Sequence, residues 1–338
     1  MKAGLVNYLR CPKCVGRLSL EAVERAHAGG ADGEVLAGTL RCAACPREFV
    51  ICGGIPRMLL APSASSDDAT QRTSVRFGHL WEQSAERTVP VSYHFEKMAQ
   101  ALDLPRVSGV TLDAGCGEGI DLANQARQND AEIIGVELSE GGCKTAFDRI
   151  AALPRAHVVQ ADLRQLPFAA GIFDHIYSYG VLHHIPSPPP AAAELARVAR
   201  PGAHVSVYLY EDFGERSITW RWALKVVNRL RPVTTSMPPA VLYGLCRAAS
   251  PLVYLLLTVP HRALKSIPLT RAFALSLPYR HGAGPFTLTG DLFDRFSAPI
   301  EFRYSRRGAS DLLANAGLRV IKVAYERGWM VYARSGPG

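Results

Sequence analysis

The stretch LDAGCGEG, Leu112 to Gly119, decides how the rest of the chain is read. It closes the apolar run VSGVTLDAG, which starts at Val107, and opens a helical run reaching Gln128. A glycine turn between strand and helix is where an open α/β sheet binds a nucleotide-like ligand. Gly115, Gly117 and Gly119 let the backbone turn tightly and approach that ligand. A dinucleotide fingerprint needs Gly-x-Gly-x-x-Gly, and Ile120 occupies its last position, which disfavours NAD.

Outward from this loop the pattern alternates. AEIIGVEL, AHVVQADL, GIFDHIYSY and AHVSVYLY read as strands, with helices near Gly141–Ala152 and Ala191–Arg200 between them. Short β-branched runs separated by helical stretches predict a parallel sheet with crossover helices. The order breaks after Glu211, where EDFGERSITWRWALKVVNRL and VLYGLCRAASPLVYLLL predict helices interrupted by prolines. A helix over Arg306–Ala316, capped by Ser305 and ended by Gly317, then leads to the strands LRVIKVAY and WMVYAR. The expected division is a cysteine-bearing domain over 1–60, a linker over 61–90, the α/β domain over 91–211 and 301–338, and a helical insertion or lid over 212–300. There is no internal repeat.

Three acids lie at the ends of three successive strands: Asp113 beside the glycines, Glu137 in GVELS and Asp162 in QADLRQLPF. S-adenosylmethionine carries an amino group and a sulfonium rather than a pyrophosphate, so an acid at Asp113 matches it. A carboxylate at Glu137 can accept from both ribose hydroxyls, and Asp162 from the adenine amino group.

Through LDAGCGEG, IIGVELSE, VVQADLRQLPF, FDHIYSYGVLHHIPSP and ELARVARPGAHV, the chain resembles the class I S-adenosylmethionine-dependent methyltransferases over about Val107–Glu211 and Arg303–Arg334. The resemblance implies a Rossmann-like seven-stranded α/β sheet whose last strand is antiparallel. It also implies that Asp113 and the loop Gly115, Cys116, Gly117 and Gly119 hold the methionine moiety, Glu137 the ribose, and Asp162 with the Leu163 backbone the adenine. Leu138 and Tyr179 are counted with the same site. Glu137 stands where aspartate is commoner in that family.

Methyl transfer is an in-line displacement, so the enzyme mainly aligns the acceptor and, where needed, removes a proton. His183 and His184, after the fourth strand in GVLHHIP, are the candidate bases, His183 first. Packing or capping is the structural alternative for either. Tyr210 and Glu211, at the end of the fifth strand, are further candidates for the acceptor side. In quinone-biosynthesis relatives a Glu-x-x-Glu-His run here is associated with a metal. This chain has Gly180, His183 and His184 at those positions, so the metal does not carry over.

Cys11-Pro-Lys-Cys14 and Cys42-Ala-Ala-Cys45 supply four thiolates in two knuckles, enough for a closed tetrahedral zinc site with a structural role. A hairpin with a loose tip near HAGGADGE must fill the long gap between them. Cys52 is expected to pack as a small hydrophobe. YLRCPKC, LRCAAC and FVICGGIPRML resemble the small zinc-ribbon protein that activates RNA and protein methyltransferases, here fused to its enzyme.

Hydrophobic residues make up 48% and charged residues 20% of the 338, which excludes global disorder. The first twenty residues lack the pattern of a secretory signal, so a cytoplasmic protein is expected. The apolar stretch around Pro251–Pro260 falls short of the ~20 residues of a spanning helix, and no transmembrane segment is expected. The net charge of +8 is local: Phe213–Ile300 holds eleven Lys and Arg against three acids, and 11 − 3 = 8. The expected acceptor is a small apolar metabolite such as a lipid, isoprenoid or quinone. The alternatives are RNA or protein docked through the ribbon, or a cofactor-binding scaffold without turnover. Basic amphipathic helices also admit peripheral membrane contact. The sequence leaves the oligomeric state open.

Overall fold

The structure, a computed structural model, describes residues 1–25, 34–60, 68–84 and 94–336. It divides into two compact units, Met1–Arg216 with Ile300–Gly338, and Ser217–Pro299.

The first unit begins with a four-stranded antiparallel sheet, β1 (Leu18–Arg25), β2 (Val35–Cys42), β3 (Glu48–Cys52) and β4 (Ile55–Pro56), in that order. The hairpin tip expected near HAGGADGE lies outside the described residues apart from Glu34. Strand β3 shows the alternation of a half-buried strand, with Phe49 and Ile51 inward. Cys52 points the other way and is exposed, which corrects the expectation that it packs inside.

Two helices follow, α1 (Asp68–Ser84) and α2 (His94–Leu102). The linker expected over 61–90 is therefore largely a helix, and residues 61–67 and 85–90 lie outside the described ones. Polar SSDD masks the signal, yet Thr73, Arg76 and Leu80 are buried at helical spacing. Asp68 in the first turn favours the helix through its dipole.

The main sheet runs β5 (Val110–Ala114), α3 (Ile120–Gln128), β6 (Glu132–Glu137), α4 (Glu140–Ile150), β7 (Ala156–Gln160), β8 (Phe173–Tyr179), α5 (Pro188–Val198) and β9 (Ala199–Leu209). After the second unit come α11 (Arg306–Ala314), β10 (Arg319–Tyr325) and β11 (Trp329–Arg334), the intervening helices being numbered below. Strand order is β10-β11-β9-β8-β5-β6-β7, and β11 is antiparallel to both neighbours while β5 to β9 pair in parallel. Chain order reverses at β5, between β6 and β8. The loop after β5 thus sits at the switch point where such sheets bind ligands. Ser305 caps α11 by accepting from the Gly308 amide at 3.1 Å, and Gly317 follows at φ +85°.

Alternation along the strands builds two cores. Leu112, Ile134, Val136, Ile176 and Val207 face α5, α11 and the N-terminal sheet. Ile133, Val158, Tyr177 and Met330 face α2, α3 and α4. Met1, Leu5, Leu9, Phe49, Ile51 and Met58 belong to the first of these cores, so the N-terminal segment shares its interior with the main sheet. Its backbone also covers the free edge of β7, with Arg57 bridging Gln160 and the Met58 amide donating to the Gln160 carbonyl at 2.8 Å.

The second unit comprises α6 (Ile218–Thr234), α7 (Pro239–Val253), α8 (Val259–Leu264), α9 (Arg271–Ser276) and α10 (Thr289–Ser297). A π-helical turn over Tyr254–Thr258 joins α7 to α8. Pro239–Leu264 is consequently one continuous helix of 26 residues, with a mean hydropathy of 1.6 over its most apolar window. By length and composition alone it is apolar enough to cross a membrane. This corrects the sequence expectation, which let the prolines end the helix. Pro251 lacks a donor and crowds the preceding turn, yet the helix continues through it, and the π turn begins three residues further on.

Candidate active site

The glycine loop, Asp113 and Glu137 meet at the switch point, and Asp162 lies further along the sheet, after β7. Gly115 holds φ +93°, and a Cβ there would lie 2.3 Å from Val181 Cγ2. Any other residue would be strained and would clash. The contact sets the segment after β8 directly beside the loop.

Asp113 is buried, and the Tyr177 hydroxyl donates to its Oδ2 at 3.0 Å. Burial, helped by the charges of Asp121 and Glu137, pushes the Asp113 carboxyl well above its usual range. A buried carboxylate short of cationic partners is stabilised by a ligand that brings positive charge. Glu137 is buried at the end of β6. Its Oε1 accepts from the Ser139 amide at 2.8 Å and the Ser139 hydroxyl at 2.6 Å, and its Oε2 from the Gly117 amide at 3.1 Å. Burial raises its pKa, and these hydrogen bonds oppose the rise. Ser139 also caps α4 by accepting from the Gly142 amide at 3.2 Å, which fixes the carboxylate to the start of that helix.

Asp162 lies two residues beyond β7. Its carboxylate is held by Arg164, through Nε at 3.0 and 3.1 Å and a terminal nitrogen at 2.7 Å, and by the Arg164 amide at 2.8 Å. Leu163 beside it is buried, Leu138 follows Glu137, and Cys116 sits within the loop. The Tyr179 ring stacks between His94 at 4.5 Å and Tyr208 at 4.3 Å.

Sequence reasoning missed the elements that cover this site. Trp81 of α1 lies against the loop: a Cβ at Gly117 would approach its ring at 3.0 Å, and one at Gly142 at 2.9 Å. Phe77, one turn earlier, is 6.2 Å from Trp81 and 5.0 Å from the His184 ring. His94 of α2 pairs with Asp121 at 3.2 Å. The adjacent glycines Gly141 and Gly142 were the available signal, since they permit close helix approach: a Cβ at Gly141 would meet the Gly78 carbonyl at 2.6 Å.

On the acceptor side, His183, His184 and Tyr210 are brought together. The His183 ring is fully buried, 3.9 Å from Tyr210 and 4.3 Å from His184. His184 is anchored by its Nδ1 to the Ile300 carbonyl at 2.7 Å. Glu211 belongs to a different cluster, paired with Arg216 at 3.1 Å and accepting from the Tyr325 hydroxyl at 2.6 Å. Burial raises its pKa against the pull of Arg216. Arg303 links the clusters, lying 5.4 Å over the Tyr210 ring and donating to the Glu211 carbonyl at 2.9 Å.

In the N-terminal sheet the Cys11, Cys14, Cys42 and Cys45 sulfurs lie within 4.8 Å of one another, and three of the pairs are separated by 3.5 to 3.8 Å. A tetrahedral ion with ~2.3 Å metal–sulfur bonds places its ligands ~3.8 Å apart, so the donor set fits zinc. Gly16 keeps this space open, since a Cβ there would lie 2.8 Å from Cys42 Sγ and 3.2 Å from Cys14 Sγ.

Residues 112–207 match the family model described as a methyltransferase domain. Among curated proteins, the chain is 34% identical over 134 residues to an uncharacterized Synechococcus protein, covering 38% of this chain and 31% of that protein. It is 28% identical over 137 residues to the 27-O-demethylrifamycin SV methyltransferase of Amycolatopsis mediterranei, covering 40% of this chain and 50% of that enzyme. The chain thus spans between about a third and a half of the length of these relatives. A solved S-adenosylmethionine-dependent methyltransferase from Aquifex aeolicus aligns at a TM-score of 0.43 and 14% identity, over 79% of this chain and 98% of that one. The fold is the α/β Rossmann-like methyltransferase fold, with its seven-stranded mixed sheet. Over residues 112–207 the chain is thus similar to methyltransferase domains.

Proposed function

We propose that this chain methylates a small, apolar acceptor with S-adenosylmethionine as methyl donor. The observation that carries the reading is the pair of buried carboxylates, Asp113 and Glu137, on either side of the positive-φ glycine loop at the switch point. When bound, the donor supplies a methyl group already activated on a sulfonium. Asp113 would hold its amino group, Glu137 its ribose hydroxyls in exchange for the present amide and hydroxyl partners, and Asp162 with Leu163 its adenine. Cys116, Leu138 and Tyr179 would line the same pocket. Trp81 and Phe77 would exclude water from it.

Val181 packs on Gly115 and His183 follows it by two residues in the chain, which supports His183 as the group that orients the acceptor or takes its proton. His184 and Tyr210 would shape that side, with Glu211 held further out by Arg216. The second unit enters the chain after β9, at the ligand end of the sheet. We take it as the segment that selects the acceptor. The similar rifamycin enzyme, by its name, methylates a small secondary metabolite, which favours that acceptor class. The four-cysteine cluster is read as a structural zinc ribbon of the methyltransferase-activator kind, because four thiolates leave no open position on the metal.

The test is incubation of the full chain and a cell extract with donor labelled in its methyl group, followed by separation of small molecules from polymers. Label in an organic-extractable small molecule, lost in Asp113→Ala, is expected. Label confined to RNA or protein would overturn the acceptor class, and donor binding without any labelled product would point to a scaffold.

A further inference from the structure

We propose that the unit Ser217–Pro299 docks on the surface of an anionic lipid bilayer. Among the described residues, sixteen of the twenty-four exposed large apolar side chains lie in this unit. Soluble surfaces carry such residues singly, and contiguous sets mark interaction sites.

They follow helical stripes. On α6, Ile218, Trp222, Val226, Leu230 and Val233 are exposed at near i, i+4 spacing. Leu224, Val227 and Thr234 are less exposed on another side, and Thr234 donates to the Phe296 carbonyl at 2.7 Å beside α10. In the long helix, Leu242, Cys246, Ser250, Thr258 and His261 are buried, and the Tyr243 ring packs 5.6 Å from Phe293 of α10. Its opposite side exposes Val241, Leu245, Leu252, Leu255, Leu256 and Val259. Only 17% of its most apolar window is buried. Both helices therefore spend one face on α10 and turn a second apolar face outward.

Charge chooses the occupant. Ser217–Pro299 contains ten Lys and Arg and two acids, Asp291 and Asp294, so 10 − 2 = +8. Arg221, Lys225 and Arg229 are exposed and each immediately precedes an exposed apolar residue of the α6 stripe. Arg247 and Arg262 interrupt the long helix. Apolar stripes bordered by cations match the interface of a membrane with anionic headgroups, where side chains enter the acyl boundary and cations remain at the phosphates. A spanning orientation would carry Arg247, Ser250 and His261 of this helix into hydrocarbon, which is costly. The inference is independent of methyl transfer.

The experiment is sedimentation of the full chain with vesicles of phosphatidylcholine, alone or mixed with phosphatidylglycerol. Association with the mixed vesicles is expected to be about tenfold or more tighter than with the neutral ones, to weaken with salt, and to be released by alkaline carbonate. Leu252→Asp with Leu256→Asp should lower it about tenfold or more while leaving the circular dichroism unchanged. Arg221→Glu with Lys225→Glu is a second variant that spares the apolar surface and should abolish the preference for anionic lipid. Equal binding to both vesicles, no binding, or indifference to both variants would overturn the proposal. So would retention through carbonate, which indicates a spanning helix, or a dimer in light scattering that the leucine variants dissociate, which makes a second copy the occupant.

Discussion

Asp113 concentrates the chemistry of the site in one side chain. Its pKa is raised in the folded chain above the usual 3.8, chiefly by burial. Its contribution to stability is therefore fully present below about pH 4 and declines as pH rises through the folded value, because the folded state binds the proton more tightly than the unfolded one. Thermal midpoints of wild type minus Asp113→Asn, without ligand, should fall across that window, and S-adenosylmethionine should reverse the fall through its positive charge. A difference that stays flat with pH would show that Asp113 is not held as described. Gly115→Ala tests the loop at the same scale. The added methyl would meet Val181 in a left-handed conformation, and a loss of about 1–3 kcal/mol in chemical denaturation is expected, together with weakened donor binding. Asp113 and the glycines were legible in the sequence because strand, turn and helix are adjacent there. The Tyr177 hydroxyl that Asp113 accepts from lies sixty-four positions away and has no local signature.

Among the elements, α1 shows where sequence reading stops. Its first residues have the composition of a linker, and what makes Asp68–Ser84 a working helix is tertiary: Trp81 against Gly117 and Gly142, and Gly78 against Ser139 and Gly141. The parallel strands are written in β-branched runs, whereas the burial of α1 depends on glycines tens of residues further along the chain. Trp81→Ala should lower stability by about 1–3 kcal/mol, less than for a fully buried tryptophan, and weaken S-adenosylmethionine binding with it. Unchanged affinity in calorimetry would show α1 to be packing only. The long helix of the second unit was misjudged for the converse reason, since Pro251 is a local breaker and the helix nonetheless runs on through it. The four-cysteine cluster, by contrast, was fully written in Cys-x-x-Cys spacing, and its geometry adds Gly16 as a residue that must stay small. Elemental analysis of protein purified without chelators should find one zinc per chain, lost in Cys42→Ser.

At the scale of the molecule, the N-terminal sheet and the α/β sheet share one core through Leu5, Leu9, Ile51 and Met58. Sequence suggested two modules because the cysteine pairs and the glycine loop are far apart, but apolar residues assigned to the ribbon are buried against β7 and its neighbours. Removing zinc should therefore lower the melting of the whole first unit in one transition. A separate early transition that leaves the main one unmoved would contradict the shared core. The reversal of strand order is where S-adenosylmethionine is predicted to bind. Calorimetric titration of the full chain with S-adenosylmethionine, set beside Asp113→Ala and Glu137→Ala, measures this most directly. One site per chain is predicted, weakened about 10- to 100-fold by each substitution as charged hydrogen bonds are lost. Absence of binding by the wild-type chain, or equal affinity in all three proteins, would contradict it.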